Sequence, residues 1–193
     1  MVGSFRHSRV NRTFRKGNIV SRIKPPQTVS KETEKVLDEI ESAFGTAPNL
    51  FKTYAHHPAL LGANWNKVKA LMMEGNLSRK VKEAIAVLVS RDNCCNYCIR
   101  AHTAALKSIG VSDEEIRNIE ENIEKANFSG KEKALISFAR KANVAPLKIS
   151  HSDYGSLREA GPSDAEIIEA LGVMELFASF NKFIDSLQID IDF

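Results

Sequence analysis

The sequence lacks the features that mark secreted, fibrous and membrane-spanning proteins. Its three cysteines are too few, and odd in number, for the disulfide framework of a small secreted domain. Ten glycines and six prolines among 193 residues exclude collagen-like and low-complexity chains. No apolar run approaches the roughly eighteen residues that a transmembrane helix needs. The composition therefore predicts a soluble protein of the reducing cytoplasm, and its 43% of hydrophobic residues suffice for the core of a single domain.

Acidic residues are absent from the first 24 positions, which hold seven arginines and lysines. Residues 25–193 carry 20 basic and 24 acidic side chains, so the body of the chain is mildly acidic although the formal net charge is +3. We therefore predict a basic N-terminal arm, residues 1–28, followed by one domain, residues 29–193. Such an arm is compatible with binding to nucleic acid or anionic lipid, with organellar targeting, or with packing across a neighbouring subunit. We favour a solvated extension or a subunit contact, and do not expect nucleic acid as a partner.

Apolar residues follow the period of an α-helix throughout the domain, whereas strand signals are few. Ser78 is a predicted N-cap, Gly45 a predicted stop, and the S-x-x-E patterns that begin at Ser112 and Ser163 predict capping boxes. The predicted fold class is therefore all-α, a helical bundle. A short strand is predicted to be possible only in the arm or in residues 188–193. The predicted helices cover residues 31–44, 59–73, 79–92, 95–109, 112–123, 130–143 and 163–187, with a short helix or turn in 46–58 and one more helix in 144–161.

All three cysteines lie within five residues: Cys94, Cys95 and Cys98, with His102 four residues further on. If the window is helical from about Cys95, residues three and four apart share one face, with Cβ atoms about 5–6 Å apart. Cys95 and Cys98 are then close enough to form a disulfide, and His102 lies on the same face. A thiol in the first turn of a helix meets unpaired N–H groups and the positive end of the helix dipole, which favour its thiolate. The spacing therefore predicts a thiol redox centre.

Glu83 is predicted to lie beside His102. If two antiparallel helices turn near Asn93, Glu83 lies ten residues before the turn and His102 nine residues after it. At a rise of about 1.5 Å per residue the two heights nearly coincide. The carboxylate can then orient the imidazole, which exchanges protons with Cys98 directly or through a water.

Other interpretations of these residues stay open at this point. A lone Cys-x-x-Cys also arises by chance or as a buried pair, and Glu83 or His102 taken alone is more often a solvated helix residue. Zinc binding is the alternative chemistry. A closed structural zinc site needs four ligands, however, and the sequence has no second Cys-x-x-Cys; only His56 and His57 are candidates to complete a site. We therefore predict no metal. Cys94 is interpreted as a small buried hydrophobic residue or as an alternative disulfide partner.

The spacing of Glu83, Cys95, Cys98 and His102 resembles the E-x11-C-x2-C-x3-H motif of AhpD-like proteins, the alkylhydroperoxidase members of the carboxymuconolactone decarboxylase superfamily. The segments PNLFKTYAHHPALL, SDAEIIEA and FNKFIDSL are also similar to that family, and the likeness is nearest its peroxidase-related subgroup. The resemblance implies an all-helical fold, assembly into dimers, trimers or hexamers, and reduction of hydroperoxides without a cofactor. The decarboxylase branch lacks the cysteine pair, which argues against decarboxylation here.

The resemblance also implies a role for each residue. Cys98 is the peroxidatic cysteine, whose thiolate attacks the peroxide and becomes a sulfenic acid, and Cys95 is the resolving thiol that condenses with it. Glu83 and His102 relay the proton, and an external dithiol or thioredoxin-like protein reduces the disulfide. The chain departs from the best-known members at Tyr97, where they have a histidine. A phenol, with a pKa of about 10, is a poor base at neutral pH, so a shorter or slower relay is expected.

Two other functions are compatible with the same sequence. The cysteine pair can serve disulfide exchange with a protein partner, as an oxidant, a reductant or a redox sensor. Alternatively, the domain is a non-catalytic helical scaffold whose basic arm binds nucleic acid or another subunit. Hydroperoxide reduction is preferred because it uses the whole four-residue constellation.

Overall fold

The computed structural model describes residues 21–193, and within them the chain folds into nine α-helices and no β-strand. The all-α prediction is confirmed, and residues 188–193 do not form the strand that the sequence allowed. None of the described helices is both long and apolar enough to cross a membrane. The helices are α1 (Lys31–Phe44), α2 (Asn49–Tyr54), α3 (Pro58–Val68), α4 (Arg79–Asp92), α5 (Asn96–Ser108), α6 (Asp113–Glu121), α7 (Gly130–Val144), α8 (His151–Glu159) and α9 (Asp164–Leu187).

Most helix boundaries fall where the local sequence predicts them. Gly45 ends α1 in the left-handed conformation, with φ 78°, which glycine adopts without strain. The Ser78 side chain caps α4, and Ser163 with Glu166 forms the predicted capping box at the start of α9. Between α3 and α4 the chain adds one π-helical turn, Lys69–Met73, inside the segment predicted as a single helix.

The capping box predicted for α6 is wrong. Ser112 does cap this helix, because its side chain accepts a hydrogen bond from the Glu115 N–H at 3.1 Å. The Glu115 carboxylate, however, binds the Lys80 ammonium at 2.6 Å and the Asn127 N–H at 2.8 Å. A cation on α4 therefore holds this carboxylate in place of the helix's own N-cap.

Helix α4 lies at the centre of the bundle. All ten residues from Val81 to Ser90 are buried, although the sequence pattern predicts only one apolar stripe. Small side chains such as Ala84 and Ala86 allow α5, α7 and α9 to pack around the helix. Two charged residues, Lys82 and Glu83, lie in this buried stretch, and a buried charge is tolerated only with a partner.

The described end of the predicted arm lies against the end of α9. The Arg22 N–H donates to the Leu187 carbonyl at 2.8 Å, and the Ser21 hydroxyl donates to the Asp190 carboxylate at 2.9 Å. Residues 1–20 lie outside the described residues. The boundary proposed at residue 28 stays a prediction.

Candidate redox site

The turn between α4 and α5 places the cysteines. Cys94 occupies the turn with φ 61°, and the Cys95 N–H donates to the Ser90 carbonyl at 2.9 Å, so the chain reverses direction tightly. Cys95 is the N-cap of α5, which begins at Asn96, close to the predicted start. Cys98 is the third helical residue. Both sulfurs thus lie at the N-terminal end of α5, where unpaired N–H groups favour negative charge.

Cys95 and Cys98 lie side by side as predicted, both as free thiols. They are 0% and 3% exposed, and a hydrogen bond joins their sulfurs. The pKa of Cys95 is lowered, chiefly because the Cys98 thiol donates a hydrogen bond to the Cys95 sulfur. The same bond, together with burial, raises the pKa of Cys98 well above its ordinary value.

The predicted contact between Glu83 and His102 is confirmed. His102 Nδ1 lies 2.7 Å from Glu83 Oε2, and both side chains are nearly inaccessible to solvent. The other carboxylate oxygen, Oε1, accepts a hydrogen bond from Arg79 Nε at 3.3 Å. The Phe177 ring of α9 packs edge-on against the imidazole, with 4.1 Å between ring centroids. The imidazole is therefore fixed in orientation on α5, the helix whose N-terminal end carries both cysteines.

Helix α9 contributes an asparagine that sequence reasoning missed. Asn181 is 1% exposed; its amide nitrogen donates to the Ser90 hydroxyl at 3.1 Å, and its oxygen accepts from Asn93 at 3.0 Å. Its side chain also forms a hydrogen bond with Cys98, which favours the thiolate of that residue. Asn181 therefore ties the turn before Cys95 to the sulfur of Cys98. The sequence signal that would have identified it is an asparagine within the otherwise apolar run of α9.

Asp185, one turn further along α9, is the second missed residue. Its carboxylate accepts a hydrogen bond from the Cys95 thiol, and its charge raises the pKa of both cysteines. Asp185 is exposed, unlike the two sulfurs it acts on. Nothing in its local sequence distinguishes it from a solvated helix residue.

Tyr97 holds residues 188–193 over the start of α5. Its hydroxyl donates to Asp192 Oδ1 at 3.0 Å, and the Phe193 ring packs edge-on against its ring at 5.0 Å. Burial and then the Asp192 carboxylate raise the pKa of Tyr97 far above its usual range. Tyr97 is thus a neutral anchor for this segment.

The third cysteine and the remaining candidate ligands lie outside this cluster. Cys94 is exposed, so its interpretation as a buried hydrophobic residue is wrong; it occupies a surface turn rather than a helix face. His57 caps α3 by accepting the Leu60 N–H at 3.2 Å, and His56 bonds the Lys24 carbonyl at 2.8 Å. In the part of the chain that the structure describes, no group of three or more His, Cys, Asp or Glu is arranged to hold a metal ion.

Sequence comparisons match parts of the chain to one family model and to one curated relative. The model of the carboxymuconolactone decarboxylase family matches residues 58–141, which include the cysteine window and Glu83. An alkyl hydroperoxide reductase of Mycobacterium tuberculosis is 29% identical over 96 residues, which are 49% of this chain. The matched region spans only 28% of that protein.

Solved structures share the fold over most of the chain. A peroxidase-related protein from Silicibacter sp. TM1040 has a TM-score of 0.80 at 27% identity, covering 89% of this chain and 92% of its own. A peroxidase-related protein with an alkylhydroperoxidase AhpD core, from Ralstonia eutropha JMP134, has a TM-score of 0.79 at 26% identity with the same coverage of both chains. The debrominase Bmp8, with a TM-score of 0.75 at 19% identity over 91% of this chain and 93% of its own, shares the fold alone.

Proposed function

We propose that the chain is a thiol-dependent hydroperoxide reductase, because its residues 58–141 match the model of the carboxymuconolactone decarboxylase family and it shares its fold with two peroxidase-related proteins, one of which has an alkylhydroperoxidase AhpD core. The observation that carries this proposal is the placement of two free, buried thiols at the N-terminal end of α5, the helix that also carries His102 bound to Glu83. The helix end favours a thiolate, and the adjacent thiol is available to complete a disulfide.

The proposed reaction oxidises the cysteine pair by two electrons. Cys98 first passes its proton to the Cys95 sulfur, to which it donates a hydrogen bond. The Cys98 thiolate then attacks the terminal oxygen of the hydroperoxide, the O–O bond breaks, and Cys98 becomes a sulfenic acid while an alkoxide leaves. The alkoxide takes a proton by way of His102, which Glu83 orients, and departs as the alcohol. Cys95 then attacks the sulfenic sulfur; an S–S bond forms, the S–O bond breaks, and water leaves. An external dithiol reduces the disulfide and resets the pair.

Burial of the sulfurs supports a small oxidant. With Cys95 at 0% and Cys98 at 3% exposure, a folded protein disulfide cannot reach either sulfur without movement of the surrounding structure. A hydroperoxide is far smaller than a folded protein and needs a correspondingly smaller opening. Disulfide exchange with a protein partner is therefore the weaker proposal, and assembly into dimers, trimers or hexamers remains a prediction from the resemblance.

A stopped-flow experiment with cumene hydroperoxide tests the proposal. Wild-type protein, reduced beforehand, should consume about one hydroperoxide per subunit before any external reductant is added. Cys98→Ser should lose this reaction, because the attacking sulfur is gone. Cys94→Ser is the matched control and should retain it, because Cys94 is an exposed thiol outside the sulfur pair. Equal consumption by wild type and Cys98→Ser would refute the assignment.

A further inference from the structure

The start of α4 carries positive charge where a helix disfavours it. Its first four residues include Arg79, Lys80 and Lys82, and its first turn has no acidic residue. The N-terminal end of a helix has a positive partial charge, so cations there are unfavourable unless they have another partner. The partner of each cation therefore indicates what that cation does.

The two lysines join α4 to other helices. Lys80 Nζ binds the Glu115 carboxylate of α6 at 2.6 Å, and Lys82 Nζ binds the Glu169 carboxylate of α9 at 2.8 Å. Each of these ion pairs connects two helices of the bundle. A structural role accounts for both lysines.

Arg79 differs because its partner lies on its own helix. Its Nε binds Glu83 Oε1 at 3.3 Å, one turn further along α4. A basic residue placed four positions before an acidic one is the less favourable order for helix stability, and a pair of this kind contributes little. The other oxygen of Glu83, Oε2, lies 2.7 Å from His102 Nδ1. Arg79, Glu83 and His102 thus form one chain of contacts with the carboxylate at its centre.

Burial gives the Arg79 contact its importance. The Glu83 side chain is 4% exposed, and a buried carboxylate stays ionised only when it is paired. A neutral imidazole offers Glu83 a hydrogen bond but no charge. The Arg79 side chain is 53% exposed and reaches the buried oxygen from the surface. Among the arginines and lysines that the structure describes, only Arg79 forms an ion pair with Glu83.

The charge of Glu83 decides which nitrogen of a neutral His102 carries the proton. An ionised carboxylate only accepts hydrogen bonds, so Nδ1 must be the N–H group and Nε2 keeps its lone pair. A protonated carboxyl can instead donate to Nδ1, and the imidazole proton then lies on Nε2. Only the first arrangement leaves Nε2, the nitrogen that does not contact Glu83, able to accept a proton.

We propose that Arg79 is a positioning residue of the redox site: its guanidinium keeps Glu83 as a carboxylate and thereby holds the proton of neutral His102 on Nδ1. The use of this arrangement in a proton relay rests on the proposed function. The arrangement itself does not, because it follows from the contacts of Glu83 with Arg79 and His102.

Three variants and two measurements test the role of Arg79. Arg79→Gln removes the charge, and Arg79→Lys keeps a cation at the same position. Arg91→Gln is the matched control, because Arg91 is also an arginine of α4 and pairs with Glu120 at 2.9 Å. Long-range proton–nitrogen NMR correlations, recorded where the ring carries one proton, show which nitrogen of His102 is protonated. The single-turnover reaction with cumene hydroperoxide gives the rate.

The proposal predicts that wild type, Arg79→Lys and Arg91→Gln share one pattern, with the proton of His102 on Nδ1. In Arg79→Gln a population with the proton on Nε2 should appear, and the rate should fall about three- to tenfold, the equivalent of one partly exposed charged hydrogen bond.

Four results would overturn the proposal. These are a proton on Nε2 in wild type, the same nitrogen pattern in wild type and Arg79→Gln, a lysine variant that behaves as the glutamine variant does, and an equal change in Arg91→Gln. If the nitrogen patterns are as predicted but wild type does not consume hydroperoxide, only the proposed function is overturned.

Discussion

Replacement of Glu83 by glutamine tests the role of the buried carboxylate. Glu83→Gln keeps the shape of the side chain but removes its charge, so the 2.7 Å contact with His102 and the 3.3 Å contact with Arg79 can no longer both be charge-assisted. The amide has one oxygen for two donors. Either one of the two hydrogen bonds is lost, or His102 adopts the tautomer in which Nδ1 accepts from the amide nitrogen. In both cases a protonated His102 loses its charged partner.

The size of the effect follows from the hydrogen bond to the imidazole. A hydrogen bond to a charged group contributes about 1.5–3 kcal/mol, which corresponds to a rate change of about 10- to 150-fold when the bond is needed in the transition state. Because the proposed relay requires His102 to carry the transferred proton in the transition state, the loss should appear in the rate of hydroperoxide consumption. We expect a decrease of this size in Glu83→Gln.

The assay is the single-turnover reaction with cumene hydroperoxide, followed from pH 6 to 9 in wild type, Glu83→Gln and Glu169→Gln. Glu169 is the matched control, since it is also a buried carboxylate, 8% exposed, and pairs with Lys82 at 2.8 Å. Its replacement should destabilise the fold without slowing the reaction. A decrease of less than about threefold in Glu83→Gln, which is smaller than one charged hydrogen bond, would refute the relay.

Three further predictions concern the surroundings of the site. Glu169→Leu leaves the Lys82 ammonium, 3% exposed, without its ion pair and should lower the free energy of unfolding by about 3–5 kcal/mol in urea titrations; a loss below about 1 kcal/mol would contradict this. Tyr97→Phe removes the hydrogen bond to Asp192 and should speed alkylation of Cys98 by about two- to fivefold, and unchanged kinetics would show that residues 188–193 do not limit access. Burial raises the pKa of Tyr54 to about 12, so its contribution to stability is complete below pH 10, its ordinary pKa, and is lost as the pH rises through the folded-state value. Tyr54→Phe should therefore flatten the fall of the unfolding free energy above pH 10, and an equal slope in both proteins would contradict the assignment.

The contacts that the sequence predicted correctly are those set by local geometry. The Glu83–His102 contact follows from two helices of known rise that meet at a tight turn, and the Cys95–Cys98 contact follows from a single helical turn. Neither depends on which other helices pack nearby. The same is true of Gly45, whose backbone conformation ends α1.

The contacts that the sequence did not predict join residues far apart in the chain. Asn181 and Asp185 reach the cysteines because α9 packs on α4 and α5, and helical periodicity says nothing about which helices become neighbours. The Tyr97–Asp192 bond spans 95 positions for the same reason. Glu115 failed as a capping residue because Lys80, 35 positions away, binds its carboxylate. Tertiary contacts thus decide the polar surroundings of a thiol pair that local spacing identifies.

The most direct test of the central claim is to count thiols after treatment with one equivalent of hydroperoxide. The account predicts that reduced protein, with three cysteines, loses two thiols per subunit, and that peptide mapping finds Cys95 joined to Cys98 with Cys94 still free. Reduction with dithiothreitol should restore all three thiols. Retention of three thiols, or a disulfide that includes Cys94, would contradict it.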